Sequence, residues 1–391
     1  MRFRILILLL VLASQFWVAP AKAVLPPEAI PAAIEEILNS PVLSNPAMIL
    51  IDVSTGTVVY EKNANSQRKP ASVMKIFAGA SVLEHLDLSM SFLTTVSLGT
   101  SPKTLIINGS FDPWFSLDAV VAKKMHRTSL PRIAFNSINA LKRANSGSLK
   151  DIKVMYSGLF TKDVTDLRAF WAKRGFKPTM KAVSSDVAMA SAQTKVLDSL
   201  SPPVLEILNF TILNSDNLLA ERLARLASKA AGHPFNNMGV AVTFAELLER
   251  FDIDSSKLIT IDASGLSKGN RVTAKVMGQL LFSLRKDEKF APLYQALPVA
   301  GISGTLRNRF ISTAPNAIGI VHAKTGTLNG TVTLAGYIES AEHEYAFVTF
   351  ADQIPKGERA SDKARAAIDR LLGRIATPNI PTEISEAPVT P

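Results

Sequence analysis

Three short motifs occur in one order along the chain, and this ordered set restricts the fold more than any other feature of the sequence. They are S-x-x-K at Ser72–Lys75, S-x-N at Ser215–Asn217 and K-T-G at Lys324–Gly326. Each motif alone is common by chance, but together they supply a nucleophile, a base, a proton relay and a cation for a substrate carboxylate. A fold that uses all three must bring distant segments of the chain to one cleft.

The first motif provides a candidate nucleophile and its base. Pro70 opens a helical pattern that runs from about Ala71 to His85. Two residues three positions apart at a helix start can face one spot, so a desolvated Lys75 could take the proton of the Ser72 hydroxyl. The free N–H groups of the helix N-terminus would also stabilise an oxyanion near Ser72.

Two competing matches to these motifs have weaker support. Ser66 and Lys69 also fit S-x-x-K, but Lys69 precedes a proline and is therefore disfavoured in a helix, so we expect a loop there. Ser137–Asn139 also fits S-x-N. We prefer Ser215, because the segment around it is apolar with helical periodicity and a motif match depends on its context.

The second motif has predicted roles in proton transfer and substrate binding. Ser215 would relay a proton between Lys75 and the leaving amine of the substrate. The side-chain amide of Asn217 would bind a substrate carbonyl. We therefore count Ser72, Lys75 and Ser215 as candidate catalytic residues and Asn217 as a candidate binding residue.

The third motif lies on a predicted strand. Lys324 would present a fixed positive charge, and the hydroxyls of Thr325 and Thr327 would bind a substrate carboxylate. Gly326 would allow close approach of the substrate backbone. The N–H of Thr327, together with that of Ser72, would stabilise an oxyanion.

The N-terminus and the cysteine content bear on the compartment. Arg2 and Arg4 precede an apolar run from Ile5 to Val18, and Ala21–Ala23 has the small-residue pattern of a cleavage site, so residues 1–23 are predicted to be a secretory signal. The run falls short of the roughly 20 residues that a transmembrane helix needs. The chain has no cysteine, which excludes disulfides and thiolate chemistry. We expect an exported, periplasmic or otherwise extracytoplasmic protein associated with the cell wall.

The charge pattern and the histidines restrict the possible partners. A net charge of +10 suits an anionic cell envelope, whereas Lys and Arg are scattered rather than grouped with aromatic residues, so we do not expect nucleic acid as a partner. His343 and Glu344 begin like the metal motif H-E-x-x-H, but Phe347 stands where the second histidine belongs. We therefore expect neither a metal nor another cofactor.

Apolar runs at both ends of the chain predict the fold class. Five runs have the length and flanking turns of strands. They are Met48–Val53, Thr57–Lys62, Ile320–Thr327, Thr331–Glu339 and Glu344–Ala351. Helical periodicity marks residues 200–230 and about 359–375. Strands from both ends around a helical middle predict an α+β fold with an antiparallel sheet flanked by helices.

Changes in composition divide the chain further. Residues 92–192 mix strand and helix signals with Gly and Pro breaks, which indicates an inserted smaller domain. The main domain would then comprise residues 24–91 and 193–376. Residues 377–391 are rich in Thr, Pro and Glu and are predicted to be a disordered tail.

The chain resembles the serine-type D-Ala-D-Ala carboxypeptidase/endopeptidases, which are low-molecular-weight class C penicillin-binding proteins of the penicillin-binding protein 4 type. The resemblance covers most of residues 45–352. Outside the three motifs it includes family-like phrases at Asn108–Pro113, Asp262–Ser267 and Leu297–Leu306. Residues 160–192 depart from the family pattern.

This resemblance implies a β-lactamase/transpeptidase-like fold and a specific reaction. The family cleaves the terminal D-Ala-D-Ala bond of peptidoglycan stem peptides, or their crosslinks, through an acyl-enzyme that β-lactams trap. Carried over to this sequence, the acylated residue would be Ser72. Carboxypeptidase and endopeptidase activity are both compatible with the motifs, and the motifs do not determine the oligomeric state.

Other functions fit the sequence less well. A class A β-lactamase shares the three motifs but needs a Glu that activates water, and neither Glu246 nor Glu249 begins the expected E-x-x-L-N phrase. Gly265–Gly269 matches the G-x-S-x-G elbow of α/β-hydrolases, but no helix pattern starts at its serine. A non-catalytic envelope-binding protein on the same fold is the third alternative, and the presence of every motif residue argues against it.

Overall fold

The computed structural model describes residues 26–340 and 342–376. The predicted signal (residues 1–23) and the predicted disordered tail (residues 377–391) lie outside the described residues. The strands, in chain order, are β1 (Ala47–Asp52), β2 (Val58–Lys62), β3 (Gln67–Arg68), β4 (Leu93–Gly99), β5 (Thr104–Asn108), β6 (Phe115–Ser116), β7 (Thr128–Ser129), β8 (Lys153–Ser157), β9 (Thr179–Ala182), β10 (Ala192–Leu200), β11 (Val272–Thr273), β12 (Val321–Leu328), β13 (Thr331–Ser340) and β14 (His343–Ala351).

The α-helices account for most of the remaining regular structure. In chain order they are α1 (Ile30–Leu38), α2 (Lys75–His85), α3 (Ala119–Lys124), α4 (Leu130–Ala144), α5 (Thr161–Ala172), α6 (Ser185–Ser191), α7 (Val204–Asn214), α8 (Asn217–Ala230), α9 (Asn237–Glu249), α10 (Ala274–Lys286), α11 (Ala291–Ala296) and α12 (Glu358–Ala376). Short 3₁₀ turns lie at Pro27–Ala29, Ala71–Met74, Glu288–Phe290, Gly304–Leu306 and Pro315–Ala317. Among the described residues, no helix is both long enough and apolar enough to cross a bilayer.

The main sheet joins the two ends of the chain. Its strand order is β12-β13-β14-β1-β2, and every neighbouring pair is antiparallel. Strand β1 lies beside β14, with Ala47 opposite Phe350 and Asp52 opposite Tyr345. The five strands predicted at the two ends of the chain and the antiparallel α+β layout are therefore confirmed.

Both faces of this sheet are covered by helices, as the composition of β1 requires. Ile49 and Ile51 pack in one core with α2, α8 and α10, whereas Met48 and Leu50 pack in a second core with α1 and α12. Side chains alternate between the two faces of a strand, so an uninterrupted apolar strand needs partners on both sides. Each fully buried side chain of this size stabilises the fold by about 1.5–3 kcal/mol.

A second sheet, with its own core, is built from the middle of the chain. Its order is β10-β4-β5-β8-β9, in which β5, β8 and β9 run parallel and the other pairs are antiparallel. Trp171 and Phe176 are buried in its core and pack edge to face. The predicted domain boundary at residue 193 cuts through β10, which pairs with β4. We propose that the inserted unit extends to Leu200.

Candidate active site

The Ser72–Lys75 segment forms the start of the central helix. Ala71–Met74 is a 3₁₀ turn, and Lys75 is the first residue of α2. The α-helix therefore begins about one turn later than the predicted start at Ala71. Ala71 has a φ of 48°, in the left-handed region that non-glycine residues avoid. This strained residue directly precedes Ser72 and lets the chain turn sharply into the helix.

Lys75 lies in the interior, beside Ser72. Its side chain is fully buried, and its Nζ is 2.9 Å from Ser72 Oγ. Nζ also donates to Oδ1 of Asn217 at 2.7 Å and to the carbonyl oxygen of Ser264 at 2.6 Å. A neutral amine has two N–H groups and one lone pair, so these two acceptors leave the lone pair for the Ser72 hydroxyl. The geometry suits a general base.

Burial and the surrounding carboxylates together determine the protonation of Lys75. Burial lowers the pKa of its ammonium group to about 8, although the carboxylates of Asp216, Asp262 and Glu221 act in the opposite direction. A base with a pKa near the working pH is available in its neutral form and still accepts a proton readily. The site therefore meets the electrostatic requirement for serine activation.

The Ser215–Asn217 segment spans the junction of two helices, α7 and α8, and does not lie within one. Ser215 ends α7 with a φ of 58°, in the left-handed conformation that often ends a helix, and the side chain of Asp216 then caps α8 by accepting from the N–H of Leu219. The prediction of one helical segment over residues 200–230 is wrong at this point. Apolar periodicity continues on both sides of the break, so the pattern alone did not reveal it.

Lys324 is also buried, next to Ser215. Its Nζ donates to Ser215 Oγ at 2.8 Å and to the carbonyl oxygen of Thr325 at 3.0 Å. Burial, followed by repulsion from the Lys75 ammonium, holds the pKa of Lys324 well below its usual value. Lys324 is thus directed towards Ser215, and its predicted role as the positive charge for a substrate carboxylate stays a prediction.

The strand β12 presents an edge next to these groups. The N–H of Ala323 donates to the carbonyl oxygen of Pro298, on the side of β12 away from β13. Backbone groups of alternate residues point to the same side of a strand, so the N–H groups of Thr325 and Thr327 also point away from β13. Thr327 is exposed, and its N–H is therefore available at this edge.

Side chains from two other segments contact the same edge. The hydroxyl of Thr325 donates to the hydroxyl of Thr305 at 2.8 Å. The hydroxyl of Thr327 accepts from Nη2 of Arg365 at 3.4 Å. Thr305 belongs to the family-like phrase ending at Leu306, whereas Arg365 lies on α12, for which no sequence pattern indicated a function.

Two glycines let the backbone segments of the site pack closely. Gly265 has a φ of 81°, and a Cβ there would lie 1.8 Å from the carbonyl oxygen of Ala71. A Cβ at Gly326 would lie 2.1 Å from Thr333 Oγ1 and 2.9 Å from the carbonyl oxygen of Pro70. Gly326 is thus required for contact between β12 and the Ser72 turn. Its predicted role in allowing close approach of the substrate stays a prediction.

The loop after Asp262 holds Ser264 in place beside Lys75. The Asp262 carboxylate accepts from the backbone N–H groups of Gly265 and Ser267, and Glu221 accepts from the N–H of Ser264 at 2.8 Å. The sequence singled out this phrase but did not assign a contact to it. Glu221 follows Asn217 by one helical turn on α8, and this spacing was the sequence signal that could have placed Glu221 at the site.

The competing motif residues lie elsewhere. Ser137 is buried in α4 and donates to the carbonyl oxygen of Ile133, and Ser66 is in a turn. No helix begins at Ser267. Glu246 pairs with His233 on the surface. Within residues 26–340 and 342–376, no group of acidic, histidine or cysteine side chains is arranged to hold a metal ion.

A buried lysine aimed at a serine on a helix start, between an antiparallel sheet and a helical layer, is the arrangement of serine enzymes that form acyl intermediates. The sequence profile of the D-Ala-D-Ala carboxypeptidase 3 (S13) family matches residues 30–142 and 161–375. The chain belongs to this family and is a serine-type D-Ala-D-Ala carboxypeptidase. The prediction that residues 160–192 depart from the family pattern is wrong, because the match resumes at residue 161.

Individual relatives agree with this assignment. The carboxypeptidase DacB of Mycolicibacterium smegmatis is 28% identical over 382 residues, which cover 85% of this chain and 82% of that protein. The D-alanyl-D-alanine carboxypeptidase DacB of Haemophilus influenzae is 32% identical over 171 residues, or 43% of this chain and 36% of that protein.

A solved structure supports the predicted fold. Penicillin binding protein 4 (dacB) of Haemophilus influenzae superposes with a TM-score of 0.65 at 18% identity, over 90% of this chain and 98% of that one. The β-lactamase/transpeptidase-like fold predicted from the resemblance is thereby confirmed.

Proposed function

We propose that this enzyme hydrolyses the D-Ala-D-Ala bond of peptidoglycan stem peptides through an acyl-enzyme on Ser72. One observation carries the proposal: Lys75 is fully buried and donates to two carbonyl-type oxygens, while its Nζ lies 2.9 Å from Ser72 Oγ. This arrangement supports removal of the Ser72 proton at the moment of attack. Other polar groups at the cleft then have roles that follow from their positions.

Acylation begins with attack of Ser72 Oγ on the carbonyl carbon of the penultimate D-Ala. Lys75 accepts the hydroxyl proton, and the backbone N–H groups of Ser72 and Thr327 stabilise the negative oxygen that forms. Oδ1 of Asn217 accepts from Lys75, so the amide N–H groups of Asn217 are free to bind a substrate carbonyl oxygen.

Departure of the terminal D-Ala needs a proton on its nitrogen. Ser215 Oγ lies 2.8 Å from Lys324 Nζ, and its hydroxyl can donate to the leaving amine while Lys324 or Lys75 replaces the proton. The lowered pKa of both lysines makes such exchange easier, since neither holds its proton as firmly as an exposed lysine. Water then releases the acyl group and restores Ser72.

β-Lactams would acylate the same serine, because their strained amide mimics the peptide under attack. Rapid release of that adduct requires a carboxylate that activates water. Glu221 is a glutamate like the water-activating residue of class A β-lactamases, but its carboxylate accepts a hydrogen bond from the N–H of Ser264. We therefore expect a long-lived penicillin adduct, which favours a penicillin-binding peptidase over a β-lactamase.

The proposed substrate also sets the compartment. Peptidoglycan lies outside the cytoplasm, so the enzyme would act in the periplasm or an equivalent space next to the cell wall, as the predicted signal segment also indicates. The stem peptide and β-lactams are its proposed partners. The bond broken is the same in a free stem and in a crosslink, and both are candidate substrates.

Release of D-alanine from a synthetic stem pentapeptide tests the proposal. Ser72→Ala should reduce turnover by at least about a thousandfold, as loss of a nucleophile does in serine peptidases. Ser66→Ala is a matched control, since Ser66 belongs to the other S-x-x-K sequence and lies in a turn. Full activity of a folded Ser72→Ala enzyme would contradict the mechanism.

A further inference from the structure

The edge of β12 has hydroxyl groups for a carboxylate but receives no exposed charge from the motif lysine. Nζ of Lys324 is buried and directed to Ser215 Oγ and the Thr325 carbonyl oxygen. Lys75 is equally buried, beside Ser72. A substrate that ends in a carboxylate must still be recognised by a cation or several donors, because a charge that loses water needs compensation.

Arg365 supplies a cation at this position. Among the described residues, its guanidinium is the positive group that hydrogen-bonds to a side-chain hydroxyl of the Thr325–Thr327 edge, with Nη2 at 3.4 Å from Thr327 Oγ1. Its side chain is 31% exposed, so it can meet a ligand from solvent while part of it is shielded. A guanidinium also matches the planar, two-oxygen shape of a carboxylate.

The segment of α12 that carries Arg365 is firmly attached to the main domain. Arg309 donates to the backbone carbonyl oxygen of Arg365 at 3.3 Å and forms an ion pair with Asp369, which is almost fully buried. Thr313 donates to the same carboxylate at 3.1 Å. The backbone of Arg365 is thus held by Arg309, which is itself fixed by its ion pair with Asp369.

We propose that Arg365 is a specificity-determining residue that binds the C-terminal carboxylate of the substrate, together with the hydroxyls of Thr325 and Thr327. The inference rests on the proposed function and specifies which group of the substrate α12 recognises. In a D-Ala-D-Ala peptide, one Cα separates the terminal carboxylate from the leaving nitrogen. The carboxylate therefore falls within about one residue length, ~3.8 Å, of the bond attacked by Ser72.

Asp362 provides a way to test whether Arg365 binds substrate or only stabilises the helix. It accepts from Nη1 of Arg365 at 2.5 Å, one helical turn earlier, and its side chain is 61% exposed. If Arg365 binds the substrate carboxylate, Asp362 competes for the same guanidinium and repels the incoming anion. Its removal should then help binding or leave it unchanged.

The experiment compares two thioester substrates with the same acyl-D-alanyl group. One leaving group ends in a free carboxylate and the other is its neutral methyl ester. Arg365→Ala should lower kcat/KM for the carboxylate substrate by roughly tenfold to a hundredfold, as loss of a charge-assisted hydrogen bond does, and change the neutral substrate by less than about twofold. Arg365→Lys should recover part of the loss.

Two further variants distinguish binding from structure. Arg359→Ala removes an exposed cation from the same helix and should leave both substrates unaffected. Asp362→Asn should give an equal or lower KM for the carboxylate substrate. Equal losses on both substrates with Arg365→Ala, or no loss on either, would overturn the assignment. So would a rise in KM with Asp362→Asn as large as that with Arg365→Ala. A wild-type enzyme inactive on both substrates would instead refute the proposed function itself.

Discussion

The rate at which penicillin acylates Ser72 should depend on pH in a way that the surroundings of Lys75 determine. Attack requires the neutral amine, and burial lowers the pKa of Lys75 to about 8. With that pKa, the neutral fraction is about 1% at pH 6, about 9% at pH 7 and about 50% at pH 8. The acylation rate should therefore rise about fiftyfold from pH 6 to pH 8 and less than about twofold above it.

The assay is the second-order rate of labelling by a fluorescent penicillin, measured on gels at constant ionic strength between about pH 5.5 and pH 10. Glu221→Gln provides the matched perturbation. It removes a carboxylate that raises the pKa of Lys75 but keeps an oxygen that can accept the N–H of Ser264. The rising part of the profile should move to lower pH. Glu61→Gln, at an exposed position of β2, should leave the profile unchanged.

Two results would refute this reasoning. A rate that continues to rise tenfold per unit up to about pH 10 would mean that Lys75 titrates like an exposed lysine. A shift of the profile to higher pH in Glu221→Gln would mean that the carboxylate does not stabilise the protonated amine. Either result would remove the electrostatic basis for Lys75 as the base.

Two further predictions concern the packing around the site. Gly265→Ala should lower both thermal stability and the acylation rate, because its Cβ would lie 1.8 Å from the carbonyl oxygen of Ala71. The control Gly175→Ala is also at positive φ but has no atom within 4 Å, so it should lower the free energy of unfolding by only about 1 kcal/mol. Equal effects would contradict this explanation. Arg222→Ala should cost about 3–5 kcal/mol in urea unfolding, because Asp163 would keep a buried charge without its partner. A loss below about 1 kcal/mol would show that the pair between α8 and α5 matters little.

Local patterns were sufficient to predict much of the fold and the central pair of the site. The strands at both ends of the chain were predicted to within a few residues, because each is a compact apolar run between turns. Ser72 and Lys75 are three positions apart, and the spacing alone brings their side chains together once a helix forms. Both features depend on neighbours in sequence.

The features that were missed depend on tertiary structure. The contact of Lys75 with Ser264 uses a backbone carbonyl oxygen, which any residue type could supply. Strand β10 belongs to the second sheet because it pairs with β4, far away in the sequence. Arg365 reaches Thr327 only because α12 packs against the sheet. No local pattern encodes these contacts, since they depend on how whole elements dock.

The position of the penicillin adduct tests the central claim, that Ser72 is the nucleophile, most directly. The mature enzyme would be incubated with penicillin, digested and mapped by tandem mass spectrometry, with Ser72→Ala treated in parallel. We expect one stable penicilloyl group on Ser72 and none on the variant. An adduct on Ser66 or another residue would contradict the assignment of Ser72 as the nucleophile. No adduct on folded wild-type protein would contradict the proposed mechanism and favour a non-catalytic envelope protein.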